Sequence, residues 1–167
     1  MIIKFTDYNE GVHHLDFDES ASNLKLPEEF SDNVKVSCKM DKSVHQIVLD
    51  CELTTSAKLR CDRCNEDFVK EIQNDFRLVY LFSSTEFNND ESEINLQYLS
   101  PETTKIDISE EVNEYCLLAV PLKLLCKEDC KGLCVSCGIN LNLDNCTCKK
   151  EVTNPIWEKL NKLKDIE

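Results

Sequence analysis

Apolar and polar residues alternate between positions 34 and 82 in a way that predicts long β-strands. Three runs carry the pattern and are rich in residues that suit a pleated, half-buried surface: VKVSCKM, VHQIVLDCELTTSAKLRC and FVKEIQNDFRLVYLF. Residues 40–43 and 61–67 separate these runs as turns. The pattern predicts an antiparallel meander of three or four strands, either flat or curled.

The segments on either side of this region are less regular. Residues 1–33 have the character of loops and a sheet edge around one or two short strands, and this includes the stretch HHLDFDES. Residues 83–105 are polar and acidic, which predicts a loop, with a brief strand at INLQYL. The long strands are therefore expected to form the body of the fold.

Two helices are predicted in the second half of the chain. The first begins at Asp107 or Ser109 and ends before Pro121. Its apolar face, at helical spacing, consists of Val112, Tyr115, Cys116 and Ala119. The second lies in NPIWEKLNKLKDIE, with Asn154 as the cap and Pro155 at the first helical position. These elements predict an α+β fold, in which an antiparallel sheet is joined by a few helices and a C-terminal cysteine-rich zinc knuckle.

Charge divides the chain into two parts, although its net value is −13. Residues 1–120 carry eleven Lys and Arg against twenty-five Asp and Glu, whereas residues 121–167 carry eight against seven. We expect residues 1–120 to form a mainly antiparallel β domain with an acidic loop and one helix. Residues 121–167 are expected to form a cysteine-rich metal-binding knuckle and the last helix. With neither a signal-peptide pattern nor an apolar run long enough for a bilayer, the sequence predicts a cytoplasmic protein without a membrane partner.

The chain has eleven cysteines, six of them within residues 126–148. Cytosolic thiols are kept reduced, so this content indicates metal binding before disulfides. The strongest motif is Cys134-Val-Ser-Cys137-Gly138, a tight turn that directs two thiolates at one ion, and Cys146-Thr-Cys148 adds a second close pair. Four thiolates from two short turns are typical of a closed structural Zn²⁺ site. The predicted Zn²⁺ ligands are Cys134, Cys137, Cys146 and Cys148.

The other clustered cysteines leave alternatives open. Cys126 and Cys130 could replace one pair of the predicted ligands. They could also join Cys61 and Cys64, from the turn RCDRC, in a second metal site that ties the C-terminal part to the sheet. Cys61 and Cys64 could equally be a reduced pair in a turn. One zinc site is therefore predicted, and a second stays open.

Catalytic interpretations are disfavoured. Neither CxxC motif opens a helix after a strand, as a thioredoxin-like motif does. The histidines, His13, His14 and His45, are far in sequence from the cysteine cluster, so an open catalytic zinc beside a general base is not indicated. Cys38 and Cys51 lie in strand-like runs, as small core or surface residues. We predict no enzyme and no small-molecule substrate.

The order of motifs resembles that of the YceD family, the large ribosomal RNA subunit accumulation proteins of bacteria and plastids. The resemblance rests on CDRC at 61–64, on IDISEEVNEYCLLAVPLKLLC leading into CKEDCKGLCVSCGINLN, and on a CxC followed by NPIWEKLNKL. It covers about residues 30–165. The family's last helix usually starts with an Asp-Pro-Arg-like motif, and here residues 154–157 are Asn-Pro-Ile-Trp, without the arginine.

The resemblance implies a non-enzymatic role in the accumulation of large-subunit ribosomal RNA. The expected partners are precursor ribosomal RNA, a basic large-subunit ribosomal protein, or both, and the acidity of residues 1–120 suits the basic protein. A small RNA-facing patch is predicted at Arg60, Arg63, Lys127 and Lys131. The alternative is a cytosolic zinc-handling or thiol redox protein that serves a zinc-ribbon ribosomal protein.

Overall fold

A five-stranded sheet dominates the computed structural model, which describes residues 1–82 and 96–148. The strands lie in chain order across the sheet: β2 (Gly11–Ser20), β3 (Asn33–Lys42), β4 (Gln46–Arg60), β5 (Asp67–Phe82) and β6 (Leu96–Leu99). Two further short strands, β1 (Ile2–Ile3) and β7 (Ile106–Asp107), pair antiparallel with each other. The sheet is open, because β2 and β6 form its two edges.

The meander predicted over residues 34–82 is confirmed for β3 to β5, and β2 adds a further antiparallel strand at its edge. The prediction of a purely antiparallel sheet is wrong, because β6 pairs parallel to β5. The physical reason is the length of the connection. Parallel neighbours need a crossover of about a dozen residues or more, and residues 83–95 supply it between β5 and β6. This acidic connection lies outside the described residues.

For the first long strand, β2, the sequence predicted only loops and a sheet edge with one or two short strands, so its length was not predicted. It has ten residues, and all of them pair with β3, from Gly11 opposite Lys42 to Ser20 opposite Asn33. A strand with one solvated face normally alternates cleanly between apolar and polar residues. In β2 the alternation is interrupted, because His13 and Glu19 occupy inward positions beside the apolar Leu15 and Phe17.

One α-helix, α1 (Ser109–Leu118), is present within the described part of the chain, together with a short 3-10 helix at Phe5–Asp7. The fold is therefore richer in β-structure than the predicted α+β class. The helix begins at Ser109, one of the two predicted positions, but its N-cap is Ile108, which has no capping side chain. The Asp107 carboxylate accepts hydrogen bonds from the backbone N–H and hydroxyl of Ser109. The predicted C-terminal helix at residues 154–167 lies outside the described residues.

The core lies between one face of the sheet and α1. Val112 and Cys116 of α1 are fully buried, as the helical spacing predicts. Tyr115 stacks on Phe76 of β5 with ring centroids 4.5 Å apart, and Asn74 donates a hydrogen bond to the Tyr115 carbonyl. The inward residues of β3 and β4 are almost completely buried beneath this layer. The sheet thus gives a rigid support to the turn that joins β4 and β5.

Within the two described segments, no helix has the length and apolar character needed to cross a membrane.

Candidate metal centres

Eight of the eleven cysteines form two compact groups of four. The inner cluster contains Cys61, Cys64, Cys126 and Cys130, and the outer cluster contains Cys134, Cys137, Cys146 and Cys148. In each group the four sulfur atoms lie within 4.8 Å of one another.

The sulfur spacing fits tetrahedral coordination. With Zn–S bonds of about 2.3 Å, a tetrahedral site requires sulfur atoms about 3.8 Å apart. In the inner cluster the Cys61–Cys130 and Cys64–Cys126 Sγ distances are 3.8 and 3.7 Å. In the outer cluster, Cys146 Sγ lies 3.6 Å from Cys137 Sγ and 3.2 Å from Cys134 Sγ. Both groups could hold a metal ion, and their thiolate-only composition suits a soft or borderline cation.

Two turns with the same hydrogen-bond pattern carry the CxxC halves of the two clusters. In the inner turn, the Cys61 N–H donates to the Glu66 carbonyl at 2.9 Å, and the Asn65 N–H donates to the Cys61 carbonyl at 2.9 Å. In the outer turn, Cys134 and Gly138 make the equivalent bonds, both at 2.8 Å. The residue after the second cysteine has a positive φ in both turns, 59° at Asn65 and 73° at Gly138. Asn tolerates this conformation better than most residues.

This equivalence was not visible in the sequence. Gly138 after the second cysteine predicted a metal knuckle at the outer turn, whereas Asn65 at the same position of the inner turn concealed the likeness. The sequence alone therefore could not exclude the alternative in which Cys61 and Cys64 are only a reduced pair in a turn. Asn at a turn position that requires φ > 0 was the available signal.

Backbone and side-chain hydrogen bonds bring the second inner pair to the β4–β5 turn. The Asp62 N–H donates to the Leu124 carbonyl at 2.8 Å, and the Leu124 N–H donates to the Asp62 carboxylate at 2.7 Å. The Arg63 guanidinium donates to the carbonyls of Glu128, at 3.2 Å, and Cys130, at 2.8 Å. The segment that carries Cys126 and Cys130 is therefore docked on the turn independently of the sulfur atoms.

A second set of contacts joins the outer cluster's segment to the same turn. The Leu133 N–H donates to the Arg63 carbonyl at 3.0 Å. Gly132, with φ of 75°, allows this approach, because an added Cβ would lie 2.9 Å from the Arg63 oxygen. The two clusters are thus consecutive along one segment that crosses the end of the β4–β5 hairpin.

Asn142 links the outer segment to an inner sulfur. Its amide nitrogen donates to Cys130 Sγ at 3.3 Å, and its amide oxygen accepts from the Lys131 N–H at 2.9 Å. Neighbouring Asn140 donates to the Glu66 carboxylate at 3.3 Å. Partners of this kind around a ligand orient it and tune its affinity for metal. Sequence reasoning did not identify either asparagine, since neither lies in a cysteine spacing motif.

The clusters differ in their exposure to solvent. Cys61, Cys64 and Cys130 are buried, with 2 to 3% of their surface exposed, and Leu125 and Phe68 pack against them. Cys126 is half-buried. In the outer cluster, Cys137 and Cys148 are exposed, and the other two cysteines are half-buried.

Hydrogen bonds from backbone amides favour thiolate in both clusters. The amides of Cys137 and Ser136 lower the pKa of Cys134 to about 6. Burial raises the pKa of Cys61, but the backbone amides of Cys126 and other neighbours outweigh it and hold the pKa at about 6. Each cluster therefore contains one thiol that ionises readily near neutral pH.

Other members of each cluster are held protonated by their neighbours. Burial and hydrogen bonds to neighbouring sulfurs raise the pKa of Cys126 to about 12. The hydrogen bond to Cys146 is the main cause that raises the pKa of Cys148 to about 12. Four thiolates cannot share such a small space without a compensating cation, and a metal ion at each cluster would supply that charge.

The four cations predicted to face RNA do not form one uncommitted patch. Arg60 pairs with Asp67 at 3.1 Å, Lys127 lies 3.9 Å from Asp129, and Arg63 is bonded to the carbonyls described above. Lys131 is exposed beside the inner cluster. Arg63 thus has a structural position between the two segments.

The three cysteines outside the clusters belong to the core. Cys38 and Cys51 lie opposite each other on β3 and β4 and form a disulfide, with Cα atoms 4.1 Å apart. The sequence predicted small strand residues here and did not predict the bond. Cys116 is fully buried in α1, and burial raises the pKa of its thiol to about 11. His13, His14 and His45 lie on or beside the strands, in neither cysteine group.

Comparison with known proteins identifies the family. The model of the family "Large ribosomal RNA subunit accumulation protein YceD" matches residues 49–164, which is more than half of the chain and includes both cysteine clusters. The chain belongs to the YceD family. The resemblance noted in the sequence is thereby confirmed, and the family name indicates a role in large ribosomal RNA subunit accumulation.

Two plant relatives carry the same YceD description. The chain is 26% identical over 175 residues to large ribosomal RNA subunit accumulation protein YCED homolog 1, chloroplastic, of Arabidopsis thaliana, covering 87% of this chain and 54% of that protein. It is 46% identical over 46 residues to the Zea mays protein of the same description, covering 27% of this chain and 16% of the relative. The chain thus spans about half the length of the Arabidopsis protein. No solved structure matches the chain.

Proposed function

We propose that the chain is a non-enzymatic factor that supports accumulation of large-subunit ribosomal RNA by binding a component of the precursor particle. The observation that carries the proposal is the YceD family match over residues 49–164. That range includes β5, α1 and both clusters in full and most of β4. The curated relatives share the family description, so the proposed role rests on sequence similarity to them and on the family match.

Each cluster is proposed to hold one structural Zn²⁺. Cys61, Cys64, Cys126 and Cys130 would bind the inner ion, and Cys134, Cys137, Cys146 and Cys148 the outer ion. Four thiolates leave no open position for a substrate, which separates a structural zinc from a catalytic one. The inner ion would stabilise the docking of the C-terminal segment on the sheet. This supports a division at about residue 120 in which the second part depends on metal.

The partner that the charge distribution supports best is a basic ribosomal protein. An acidic groove runs between the β2–β3 connection and the start of α1, and it is lined by Asp107, Glu110 and Glu114 with Lys25 as a cation among them. Three of the four cations predicted to contact RNA already have intramolecular partners. A basic partner would meet complementary charge in the acidic groove. Contact with precursor RNA through Lys131 and its neighbours remains a second route.

The role is tested by sedimentation of the tagged chain from gently lysed cells, with and without ribonuclease. We expect co-migration with precursor large subunits and release of the chain when the particle's RNA is digested. A chain that stays at the top of the gradient under both conditions contradicts the proposed association.

The predicted compartment is the cytoplasm, whereas both relatives are named chloroplastic. Fractionation of the native organism would locate the chain.

A pair of charge reversals separates the two partners. Glu110→Lys together with Glu114→Lys should abolish capture of a basic large-subunit ribosomal protein, because both side chains are exposed in the acidic groove. Lys127→Glu together with Lys131→Glu serves as the matched control and should leave that capture intact. If the second pair abolishes capture while the first does not, the ribosomal protein binds beside the clusters and not in the acidic groove, and the proposed site is wrong. Binding assays with ribonuclease-treated protein exclude bridging by RNA.

A further inference from the structure

The inner and outer clusters both consist of four cysteines but differ in how far their side chains are exposed to solvent. Three inner cysteines are buried beneath Leu125 and Phe68, while Cys137 and Cys148 of the outer cluster are exposed. Exposed thiolates can be reached by oxidants and competing chelators, whereas buried ones are protected. Two sites with equal chemistry are therefore expected to differ in reactivity.

The chain path increases this difference. Inner ligands are brought together over a sequence separation of 62 residues for Cys64 and Cys126, and a backbone network holds both segments in place. The outer ligands lie within residues 134–148. Opening the outer cluster requires only a local rearrangement, while opening the inner one requires detachment of a docked segment.

We propose that the outer cluster is an oxidation site, at which a hydroperoxide converts Cys137 and Cys146 into a disulfide and the outer Zn²⁺ is released while the inner Zn²⁺ stays bound. The inference rests on the zinc loading proposed above. It assigns different roles to the two centres. The inner centre supports the fold, and the outer centre responds to oxidant by losing its ion, which loosens residues 134–148.

The chemistry balances with a hydroperoxide as the oxidant. The exposed Cys137 thiolate attacks one peroxide oxygen, the O–O bond breaks, and a sulfenic acid and a hydroxide form. The Cys146 thiolate, whose Sγ is 3.6 Å away, then attacks the Cys137 sulfur and displaces a second hydroxide. Two protons from solvent convert both hydroxides to water when hydrogen peroxide is used. The two sulfurs supply the two electrons, and the remaining two thiolates cannot retain the ion in a four-ligand site.

Cys146 is the partner that the geometry selects. Its sulfur lies within 3.6 Å of both Cys134 Sγ and Cys137 Sγ, so it is in position to attack a sulfenic acid formed at the exposed Cys137. Disulfide formation requires approach from this distance to about 2.05 Å. The short outer loop can provide that movement without disturbing the sheet.

The test uses the full-length, zinc-loaded chain and hydrogen peroxide. Zinc release is followed with a chromogenic chelator, and the cysteines are mapped by mass spectrometry after alkylation. We expect one equivalent of zinc to leave at least about tenfold faster than the second, together with a Cys137–Cys146 disulfide. A single release phase for both ions, or a first disulfide among the inner cysteines, would overturn the inference.

Two variants make the assignment specific. Cys137→Ser should hold one zinc and show no fast phase, because the thiolate that attacks the peroxide, which is also one of the outer ligands, is absent. Cys116→Ser, which changes a buried thiol outside both clusters, should behave as the wild type does. A fast phase that survives in Cys137→Ser contradicts the inference. A chain that holds fewer than two zinc ions before oxidant is added contradicts the zinc loading itself, and two ions released together contradict the oxidation site alone.

Discussion

The inner and outer clusters are built on turns of the same type but lie in different environments. Both CxxC motifs close with the same two backbone hydrogen bonds and a residue of positive φ. The inner turn ends a long hairpin of the sheet and is covered by a distant segment, while the outer turn is covered by a nearby loop in its own segment. Local sequence therefore builds the CxxC turn, whereas its neighbours in space decide how deeply the cysteine cluster is buried.

The largest expected effect comes from the removal of one ligand from each cluster. Cys130→Ser should lower the free energy of unfolding by about 4 kcal/mol, since the inner ligands close a loop of about sixty residues and loop entropy scales with that length. Cys146→Ser should release one zinc and leave the sheet's unfolding transition unchanged. Zinc content and chemical denaturation measure both outcomes. Equal losses in the two variants would show that the clusters are energetically equivalent.

A pair of glycine substitutions, with a smaller expected loss of stability, compares the contact at Gly132 with the outer turn at Gly138. Gly132→Ala places a Cβ 2.9 Å from the Arg63 carbonyl oxygen, in addition to the cost of φ at 75°. Gly138→Ala has the same backbone cost, about 1–2 kcal/mol, without a nearby atom within 4 Å. We expect Gly132→Ala to lower the midpoint of thermal unfolding, and Gly138→Ala to weaken only outer zinc binding, by about tenfold. A lowered midpoint in Gly138→Ala alone would reverse the comparison.

The asparagine that joins the clusters should have an intermediate effect. Asn142→Ala removes the hydrogen bond to Cys130 Sγ and the acceptor for the Lys131 N–H. Partners of a ligand typically change metal affinity about 10- to 100-fold, and we expect a loss of inner zinc affinity in this range. Chelator competition measures it, with exposed Asn145→Ala as the control. Unchanged inner affinity would mean that the two clusters act independently.

The smallest effect is expected at the ion pair at the base of β5. The hydrogen bond from Arg60 and its charge hold the pKa of Asp67 below its usual value. Its contribution to stability is therefore present above the unfolded-state pKa and is lost as the pH falls through the lower folded-state pKa. Asp67→Asn should lower stability slightly at neutral pH and not at acidic pH, with zinc content unchanged. Zinc loss in this variant would show that surface charge, and not docking, supports the inner cluster.

Much of the fold could be predicted from local pattern. The strands β3 to β5, the helix with Val112 and Cys116 inward, and the short strand in INLQYL follow from spacing that each segment carries by itself. The parallel pairing of β6 could not be predicted, because strand direction depends on the path of a connection with no regular pattern. The pairing of Cys38 with Cys51 depends on the register between two strands, which the alternation alone leaves open.

The sequence by itself determined that this protein is a YceD relative with a β-meander and a cysteine knuckle, because these features are written in short motifs and in residue spacing. Only the tertiary structure decided which cysteines share a site. Cys126 and Cys130 lie beside the β4–β5 turn because Asp62 and Arg63 dock their segment there, across more than sixty positions of sequence. Contacts at such separations have no local signature, since they arise only when segments far apart in the chain are brought together.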